Sequence, residues 1–481
     1  MAPTRPARPA GFVRARGTEI VDGDGRPLLL RGVGLGNWLL AEGYMWKFGD
    51  GLSSARQIEA RIEDLVGPEA AASFWTRFRA DFIAEADIAR IAELGFDHVR
   101  LPINSRGVIN DDGSFRADGF AHIDRVVDWC ERYGLWILLD LHGAPGGQTG
   151  TNIDDSPNNK PELFMDDNYR KLTVELWSEL ARRYRDNTTV MGYDLLNEPL
   201  PNEWQHVYPA ELVDLYVELT AAVRAIDPDH LIMYEGSQWA TNWSIFTEVL
   251  DPNSVLQFHR YWCAPERFNI AEYLDARDRL QLPIYMGEGG ENTPEWIYTA
   301  TRLYEQHNIG WNFWPWKKLD TRTSPVSTNA PDGWERIADP AADLDAETAQ
   351  GLLDAMLDNI ALDRCVVREE VVNALFGRTP LVLPSWGYVE DDPAAPSRFD
   401  GLGLTDEQLD EVWHHTAGEP YDERLSTAVT AGQELRFPLE SRPNGWAVQS
   451  ADPDAFDVRW EDGALIVRAR ANARFDGINS V

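Results

Sequence analysis

The stretch Val190-Met191-Gly192-Tyr193-Asp194-Leu195-Leu196 runs directly into Asn197-Glu198-Pro199. Its first seven residues are mostly apolar, which is typical of a strand buried on both faces. A second apolar run, Pro283-Ile284-Tyr285-Met286-Gly287, also ends in a glutamate, Glu288, followed by Gly289. The two stretches therefore predict two buried parallel strands, each with a carboxylate at its carboxyl end.

Six further apolar runs of the same kind alternate with stretches that have the periodicity of amphipathic helices. These runs are Leu30 to Gly36, His98 to Ile103, Trp136 to Leu141, Leu231 to Glu235, Val255 to Phe258 and Ile309 to Trp314. Eight strand–helix units predict an α/β protein with a (β/α)8 TIM barrel. The alternative is an open doubly wound sheet, but no glycine-rich phosphate loop follows the first run.

The chain is predicted to form two domains. Residues 12–378 hold the barrel, which is preceded by a small hairpin within residues 12–30. Residues 379–481 begin with the linker-like segment Asp391–Pro396 and continue with short alternating runs that are separated by Asn444-Gly445 and Asp462-Gly463 turns. This pattern predicts a small C-terminal antiparallel β domain, which we expect to be sandwich-like.

Composition narrows the classes of partner. The 481 residues carry a net charge of −35, which argues against nucleic acid and against an anionic membrane surface. Three widely spaced cysteines argue against a disulfide framework or a zinc site. The first residues lack the apolar core of a secretory signal, so we expect a cytoplasmic protein, or a secreted one if a leader has been removed. The oligomeric state stays open.

Polar and aromatic side chains recur where the predicted strands end, and in a barrel these ends meet on one face. Arg100 lies inside a buried run and therefore needs a carboxylate partner. Glycoside hydrolysis uses two carboxyl groups that face each other across a sugar, and Glu198 with Glu288 would supply them. The other candidates at strand ends are Trp38, His142, His259, Tyr261, Trp314 and Trp316.

Over about residues 12–378 the chain resembles family 5 of the glycoside hydrolases, within the larger clan of retaining (β/α)8 enzymes. It is most similar to the exo-β-1,3-glucanase and β-glucosidase branch. The motifs that carry the resemblance are Arg31–Trp38, Val99–Ile103, Asp140–Gly146, Leu196–Pro199, Tyr234–Gly236, Phe258–Trp262 and Gly287–Gly289. Where that branch has Gly-Gly-Trp on its first strand, this chain has Gly36-Asn37-Trp38.

The resemblance implies a role for each candidate residue. Glu198 would be the acid/base and Glu288 the nucleophile, and neither a metal nor another cofactor would be needed. Further roles are implied as follows: Arg100 and Tyr261 hold the nucleophile, Asn197 bonds the sugar 2-hydroxyl, His142 and His259 line the site, Trp314 or alternatively Trp316 forms the floor, and Glu42 with Asp154 or Asp155 binds the terminal sugar.

The expected reaction is hydrolysis of β-glucosides or short β-glucan oligosaccharides from one end, with retention of configuration. Bulky residues from Tyr44 to Phe48 favour a blocked end of the site. The alternatives are an endo-β-glucanase or mannanase, and a glycosidase that acts on mannosides, furanosides or glycolipids. A carbohydrate-binding barrel without catalytic activity is the third alternative. The expected partner is an oligosaccharide or a small glycoside.

Overall fold

The structure, a computed structural model, describes residues 10–48, 52–110, 112–261, 263, 265, 267–342, 344–378, 427–438, 446–449, 452–461, 464–475 and 477–480. The chain divides into two compact units. The first unit takes residues 1–260, 272–290 and 308–368, and the second takes residues 261–271, 291–307 and 369–481. The predicted boundary between residues 378 and 379 stays a prediction.

The first unit begins with an antiparallel hairpin of β1 (Arg14–Arg16) and β2 (Glu19–Val21). Eight parallel strands then close into a barrel in the order β10-β3-β4-β5-β6-β7-β8-β9. They are β3 (Arg31–Gly34), β4 (His98–Asn104), β5 (Trp136–Gly143), β6 (Val190–Asp194), β7 (Leu231–Glu235), β8 (Ser254–Arg260), β9 (Ile284–Gly290) and β10 (Gly310–Trp314). The predicted (β/α)8 barrel is confirmed, and all eight predicted runs contribute a strand.

The hairpin covers the amino-terminal end of the barrel. Val13 and Ile20 join one buried apolar cluster with barrel residues such as Leu138, Met233 and Tyr285. The backbone N–H of Ala15 donates to the side chain of Asn253, at 3.0 Å. Since this end is filled with apolar side chains, the opposite end is the one that carries the polar residues.

Three more short strands follow the barrel strands and form a sheet in the order β11-β12-β13. They are β11 (Lys317–Leu319), β12 (Val326–Thr328) and β13 (Val366–Val367). The helices of the described chain are α1 (Ala55–Val66), α2 (Pro68–Asp81), α3 (Glu85–Leu94), α4 (Ser105–Val108), α5 (Ala117–Tyr133), α6 (Asp167–Tyr184), α7 (Pro209–Arg224), α8 (Ala271–Leu280), α9 (Pro294–Gln306), α10 (Ala346–Asn359) and α11 (Glu369–Leu375). None of these helices combines the length and apolar character needed to cross a bilayer.

The helices α1 and α2 lie between the first barrel strand and α3, and the sequence pattern did not reveal them. A capping box at Ser54, whose side chain accepts from the backbone of Gln57, starts α1. Phe74 and Phe78 of α2 pack around the buried Trp46. This aromatic layer stabilises the loop that follows the first barrel strand.

The second unit contains α9, α11 and the strands of the C-terminal region. Thr293 caps α9 by accepting from the backbone N–H of Trp296, at 3.2 Å. The strands are β14 (Thr427–Val429), β15 (Glu434–Pro438), β16 (Trp446–Gln449), β17 (Phe456–Glu461), β18 (Ala464–Ala469), β19 (Ala473–Phe475) and β20 (Gly477–Ser480). They pair antiparallel, which confirms the predicted C-terminal β region. The predicted linker Asp391–Pro396 lies outside the described residues.

A buried ion pair joins α3 to the strand that follows the barrel. The Nζ atom of Lys317 lies 2.7 Å from Oδ1 of Asp87, and both side chains are fully buried. Lys317 also donates to the backbone oxygens of Phe82 and Ile360, at 2.6 and 3.1 Å. Because Lys317 and Asp87 compensate each other's charge, removal of either charge should leave the other uncompensated in the interior.

We therefore expect Asp87→Asn to lower the free energy of unfolding by roughly 3 kcal/mol, the usual cost of breaking a buried pair. Urea unfolding followed by tryptophan fluorescence measures this difference. The matched control is Glu93→Gln on the same helix, because its pair with Arg90 is exposed and should contribute less than about 1 kcal/mol. Equal small losses in the two variants would contradict the expected role of the buried pair.

Candidate active site

The guanidinium of Arg100 lies at the centre of a cage of carboxylates. Arg100 belongs to β4 and is fully buried. Its Nε atom donates to Oδ2 of Asp194 at 2.8 Å, and its Nη2 atom donates to Oε1 of Glu235 at 3.1 Å. Its Nη1 atom contacts Oε1 of Glu288 and lies 3.3 Å from Oδ2 of Asp140. Four carboxylates from four strands thus surround one guanidinium.

The strand register brings these side chains together. Asp140 of β5 is the register partner of Asp194 of β6, and His259 of β8 is the partner of Glu288 of β9. Because side chains alternate between the two faces of a strand, residues paired in this way occupy the same level inside the barrel. The polar cage is therefore a layer of the barrel interior, formed at the carboxyl ends of its strands.

Glu198 follows β6 in a strained turn. Its φ of 46° is left-handed, a conformation that costs a residue with a side chain roughly 1–2 kcal/mol. The backbone N–H of Glu198 donates to Oε2 of Glu235 at 2.6 Å, and Leu200 donates to the backbone oxygen of Gln148 at 3.2 Å. The side chain of Glu198 keeps 12% of its surface exposed, so solvent or substrate can reach its carboxyl group.

His259 bridges three glutamates. Its Nδ1 atom donates to Oε1 of Glu198 at 2.7 Å and lies 3.7 Å from Oε2 of Glu288. Its Nε2 atom lies 3.3 Å from Oε1 of Glu235. Burial opposes the charge on His259, but the carboxylates of Glu235 and Glu288 outweigh burial and raise its pKa well above the usual value. His259 is therefore an imidazolium whose two N–H groups face carboxylates.

The ligand atoms of Glu198, His259 and Glu288 all lie within 4.8 Å of one another, a spacing that could also hold a metal ion. A metal needs the lone pair of a neutral imidazole, whereas an imidazolium donates from both nitrogens. In the geometry described, both ring nitrogens of His259 instead face carboxylate oxygens. The same three residues are suited to proton transfer between two closely spaced carboxyl groups.

The carboxyl groups of the cage differ in their protonation. Burial raises the pKa of Asp140 to about 8 and raises that of Asp194 well above its ordinary range. For Glu235, burial is outweighed by the charge and hydrogen bond of His259, so its pKa is lowered. Burial also raises the pKa of Glu288, against the opposing effects of His259 and Arg100. The environment therefore shifts the pKa values of these carboxyl groups in opposite directions.

His142 and Trp314 form the neighbouring wall. Their rings stack at a centroid distance of 5.3 Å and an angle of 8°. The Nδ1 atom of His142 lies 2.8 Å from Oδ2 of Asp140, and burial lowers the pKa of His142 to about 4. Asn197 accepts from Arg100 at 2.8 Å, and its Nδ2 atom lies 3.4 Å from Nε2 of His142. Asn197, His142 and Trp314 therefore lie beside the cage, and their roles toward a sugar stay predictions.

Two of the predicted tryptophans lie in the protein interior. The Nε1 atom of Trp316 donates to Oδ1 of Asp87 at 2.9 Å, in the helix layer. The Nε1 atom of Trp38 donates to the backbone oxygen of Arg79 at 3.0 Å, and Trp38 is buried. Of the two floor candidates, Trp314 is therefore the one that lies beside the cage, where its ring stacks on that of His142.

The remaining candidates lie in loops. The carboxylate of Asp154 accepts from the backbone N–H groups of Gly150 and Ser156, at 3.0 and 2.9 Å, so it holds its own loop together. Glu42 is buried at the end of the loop after β3, and its backbone N–H donates to Asn37 at 3.3 Å. Tyr261 directly follows β8 and belongs to the second unit. The roles of these residues stay predictions.

The sequence did not assign a site role to four residues around Arg100: the carboxylates of Asp140, Asp194 and Glu235, and the amide of Gln257. The side chain of Gln257 donates to Oδ2 of Asp194 at 2.8 Å and contacts Glu235. The available signal was an ionisable residue within a buried apolar run, as in Leu139-Asp140-Leu141 and Tyr234-Glu235. A buried arginine needs such partners, and these were the nearest carboxylates at the same strand level.

Comparison with known proteins identifies related sequences. The family model for cellulase (glycosyl hydrolase family 5) matches residues 63–320, more than half of the chain. A β-xylosidase from Phanerodontia chrysosporium is 30% identical over 64% of this chain and 71% of its own length. An endoglucanase C from Acetivibrio thermocellus is 34% identical over 37% of this chain and 50% of its own length.

A probable glucan 1,3-β-glucosidase A from Aspergillus niger is 31% identical over 50% of this chain and 56% of its own length. The chain thus spans about half the length of this relative and of the endoglucanase. Among solved structures, that of an endogalactoceramidase has a TM-score of 0.50 and 18% identity, and it covers 98% of this chain and 100% of the other. At this identity the likeness shows the fold alone.

The opposite pKa shifts of the two histidines predict different protonation states in one site. At about pH 6, near the usual pKa of histidine, we expect the ring of His142 to be neutral and that of His259 to be charged. The ¹⁵N chemical shifts of the imidazole rings measure this difference. The variants His142→Gln and His259→Gln would assign the signals, and titration of both rings together near the usual value would contradict the prediction.

Proposed function

The chain belongs to glycosyl hydrolase family 5, and on that premise we propose that it is an exo-acting, retaining β-glycosidase. Its proposed substrates are β-glucosides or short β-glucan oligosaccharides. The family supplies the general reaction, hydrolysis of a glycosidic bond. The stereochemistry, the mode of attack and the roles of individual residues are our inference from the geometry of the site.

One observation carries the retaining mechanism: a carboxylate oxygen of Glu198 lies within 4.8 Å of one of Glu288. Retaining glycosidases hold their two carboxyl groups roughly 5–5.5 Å apart, whereas inverting enzymes need about 6.5–9.5 Å to admit a water molecule. The short separation supports direct attack by one carboxylate on the sugar. It leaves too little room for a water molecule between that carboxylate and the anomeric carbon.

Glu288 is the proposed nucleophile, because Arg100 contacts its Oε1 atom and the charge of Arg100 favours the ionised form. Glu198 is the proposed acid/base, because its carboxyl group is partly exposed, so a leaving oxygen and then a water molecule can reach it. Glu288 would attack the anomeric carbon while Glu198 gives a proton to the leaving oxygen. Glu198 would then remove a proton from water, which releases the sugar from Glu288.

The neighbouring side chains would hold the sugar. Trp314 offers an aromatic surface beside His142, and Asn197 is fixed by its bond to Arg100. Aromatic surfaces with a few placed polar groups are the usual lining of small-molecule sites. We therefore assign the ring contact to Trp314 and the 2-hydroxyl contact to Asn197, with no metal ion or other cofactor in the reaction.

The loops after β3 and β5 support exo attack. The backbone N–H of Arg56 donates to Oδ1 of Asp155 at 2.8 Å, and Arg106 donates to Oδ2 of the same residue at 2.8 Å. The Nε1 atom of Trp314 donates to the hydroxyl of Tyr44 at 3.1 Å. The loops are thus tied to each other and to the proposed floor, which favours a site closed at one end.

The two-carboxylate mechanism predicts the effect of isosteric substitutions. Glu198→Gln should lower kcat/KM about 10²–10⁴-fold, the usual contribution of a general acid, and Glu288→Gln should abolish turnover. The assay is release of phenol from a panel of phenyl β-glycosides, whose leaving oxygen needs a proton, with proton NMR of the first sugar anomer formed. The control is the exposed Glu93→Gln, which should keep wild-type activity. Release of the α-anomer first would refute retention.

The closed end predicts the product pattern. With laminari- and cello-oligosaccharides, we expect a single monosaccharide to be released from the start of the reaction. Chromatography of oligosaccharides labelled at the reducing end shows which end is attacked. If the enzyme removes sugars from the non-reducing end, the label stays on the shortened oligosaccharide. Early mixtures of internal fragments would instead indicate an endo-glycanase with an open cleft.

A further inference from the structure

We propose that Glu235 is a positioning residue that fixes the acid/base Glu198, through both the backbone and the side chain of Glu198. The proposal rests on the catalytic role proposed for Glu198 and adds a residue to that machinery. Glu235 ends β7 and is fully buried, so it acts through its neighbours rather than through the substrate. Two separate paths of contact lead from its carboxylate to Glu198.

The first path is a direct hydrogen bond to the backbone. Oε2 of Glu235 accepts from the backbone N–H of Glu198 at 2.6 Å. Glu198 is held at a φ of 46°, and a left-handed residue with a side chain persists only where its surroundings over-determine it. The hydrogen bond from Glu235 is made to this strained residue itself. It therefore helps to fix the backbone position from which the side chain of Glu198 extends.

The second path runs through His259. The Nε2 atom of His259 lies 3.3 Å from Oε1 of Glu235, and its Nδ1 atom donates to Oε1 of Glu198 at 2.7 Å. One imidazolium therefore connects the carboxylate of Glu235 to the carboxyl group of Glu198. Since both ring nitrogens are used, the contact with Glu235 helps to fix the orientation of the ring that meets Glu198.

All groups that face Glu235 are donors, and this requires two acceptor oxygens. Oε1 receives the Nη2 atom of Arg100 at 3.1 Å and the side-chain amide of Gln257, in addition to His259. Oε2 receives the N–H of Glu198. A glutamine has one acceptor and one NH₂ donor, so in either orientation its NH₂ would face a donor. Only a carboxylate satisfies both sides at once.

Glu235 is itself held firmly. It is the register partner of Gln257 across β7 and β8. The hydroxyl of Tyr216, from α7, donates to its backbone oxygen at 2.8 Å. Because the strand and the helix both fix its backbone, the carboxylate can transmit a fixed position to the turn that carries Glu198.

The test compares Glu235→Gln with the wild type on two substrates that differ only in their need for an acid. A phenyl β-glycoside needs a proton on its leaving oxygen, whereas a 2,4-dinitrophenyl β-glycoside leaves readily without one. We expect kcat/KM to fall about 10²-fold for the phenyl glycoside and less than about tenfold for the dinitrophenyl glycoside, because the loss is in general acid catalysis. A purely structural role would lower both values by the same factor.

The matched control is Asp227→Asn. Asp227 is a buried carboxylate near the opposite end of the same strand, bonded to Tyr193 and His230 at 2.6 Å each. Its loss should reduce stability without changing the ratio of the two kcat/KM values. If Glu235→Gln fails to fold, Glu235→Asp keeps the charge but is one methylene too short to reach both sides. It should show the same selective loss.

The proposal and the function on which it rests can fail separately. A wild type that cleaves no glycoside would refute the proposed function, and the position of Glu198 would then be tested by crystallography of the wild type and Glu235→Gln. We expect Glu198 to leave its left-handed conformation, or its bond to His259, in the variant. An unchanged turn, or an active wild type with equal losses on both substrates, would overturn the role of Glu235.

Discussion

The buried charge of Arg100 is the constraint on which the polar end of the barrel depends. Removal of a guanidinium from water is costly, and only close carboxylates with good geometry offset that cost. Asp140, Asp194, Glu235 and Glu288 supply them from four different strands. Because a shift of one residue would turn a side chain to the other face of its strand, convergence on one group also fixes the strand register. Barrel closure and site geometry thus depend on the same contacts.

The carboxyl groups around Arg100 outnumber the positively charged groups beside them. Four carboxyl groups surround one guanidinium, and the second cation, His259, lies on the side of Glu198 and Glu288. Burial raises the pKa of Asp140 and that of Asp194, against the opposing charge of Arg100. His259 is therefore placed beside the two glutamates of the proposed reaction, Glu198 and Glu288.

Sequence periodicity was enough for the barrel and for the placement of Glu198 and Glu288, because strand ends in a parallel barrel meet on one face. It could not separate Trp314 from Trp316, because both lie near the end of one strand and only packing sends Trp316 towards Asp87. It also missed α1 and α2, and the residues of α2 that pack on Trp46 form an aromatic cluster only in the folded chain. For Asp154, the hydrogen bonds of its own loop depend on backbone geometry that residue order does not reveal.

Backbone strain is concentrated beside the proposed acid/base. Left-handed residues with side chains occur in the loop after β6, at Glu198, Leu200 and Asn202, and in the loop after β7, from Gln238 to Ala240. The two loops support each other, because Gln238 donates to the backbone oxygen of Leu200 at 3.1 Å and its side chain accepts from Asn202 at 2.5 Å. Such strain persists only on a rigid base, and the buried cage beneath these loops provides it. A proton donor held in this way needs little reorganisation during the reaction, which is how preorganised sites lower a barrier.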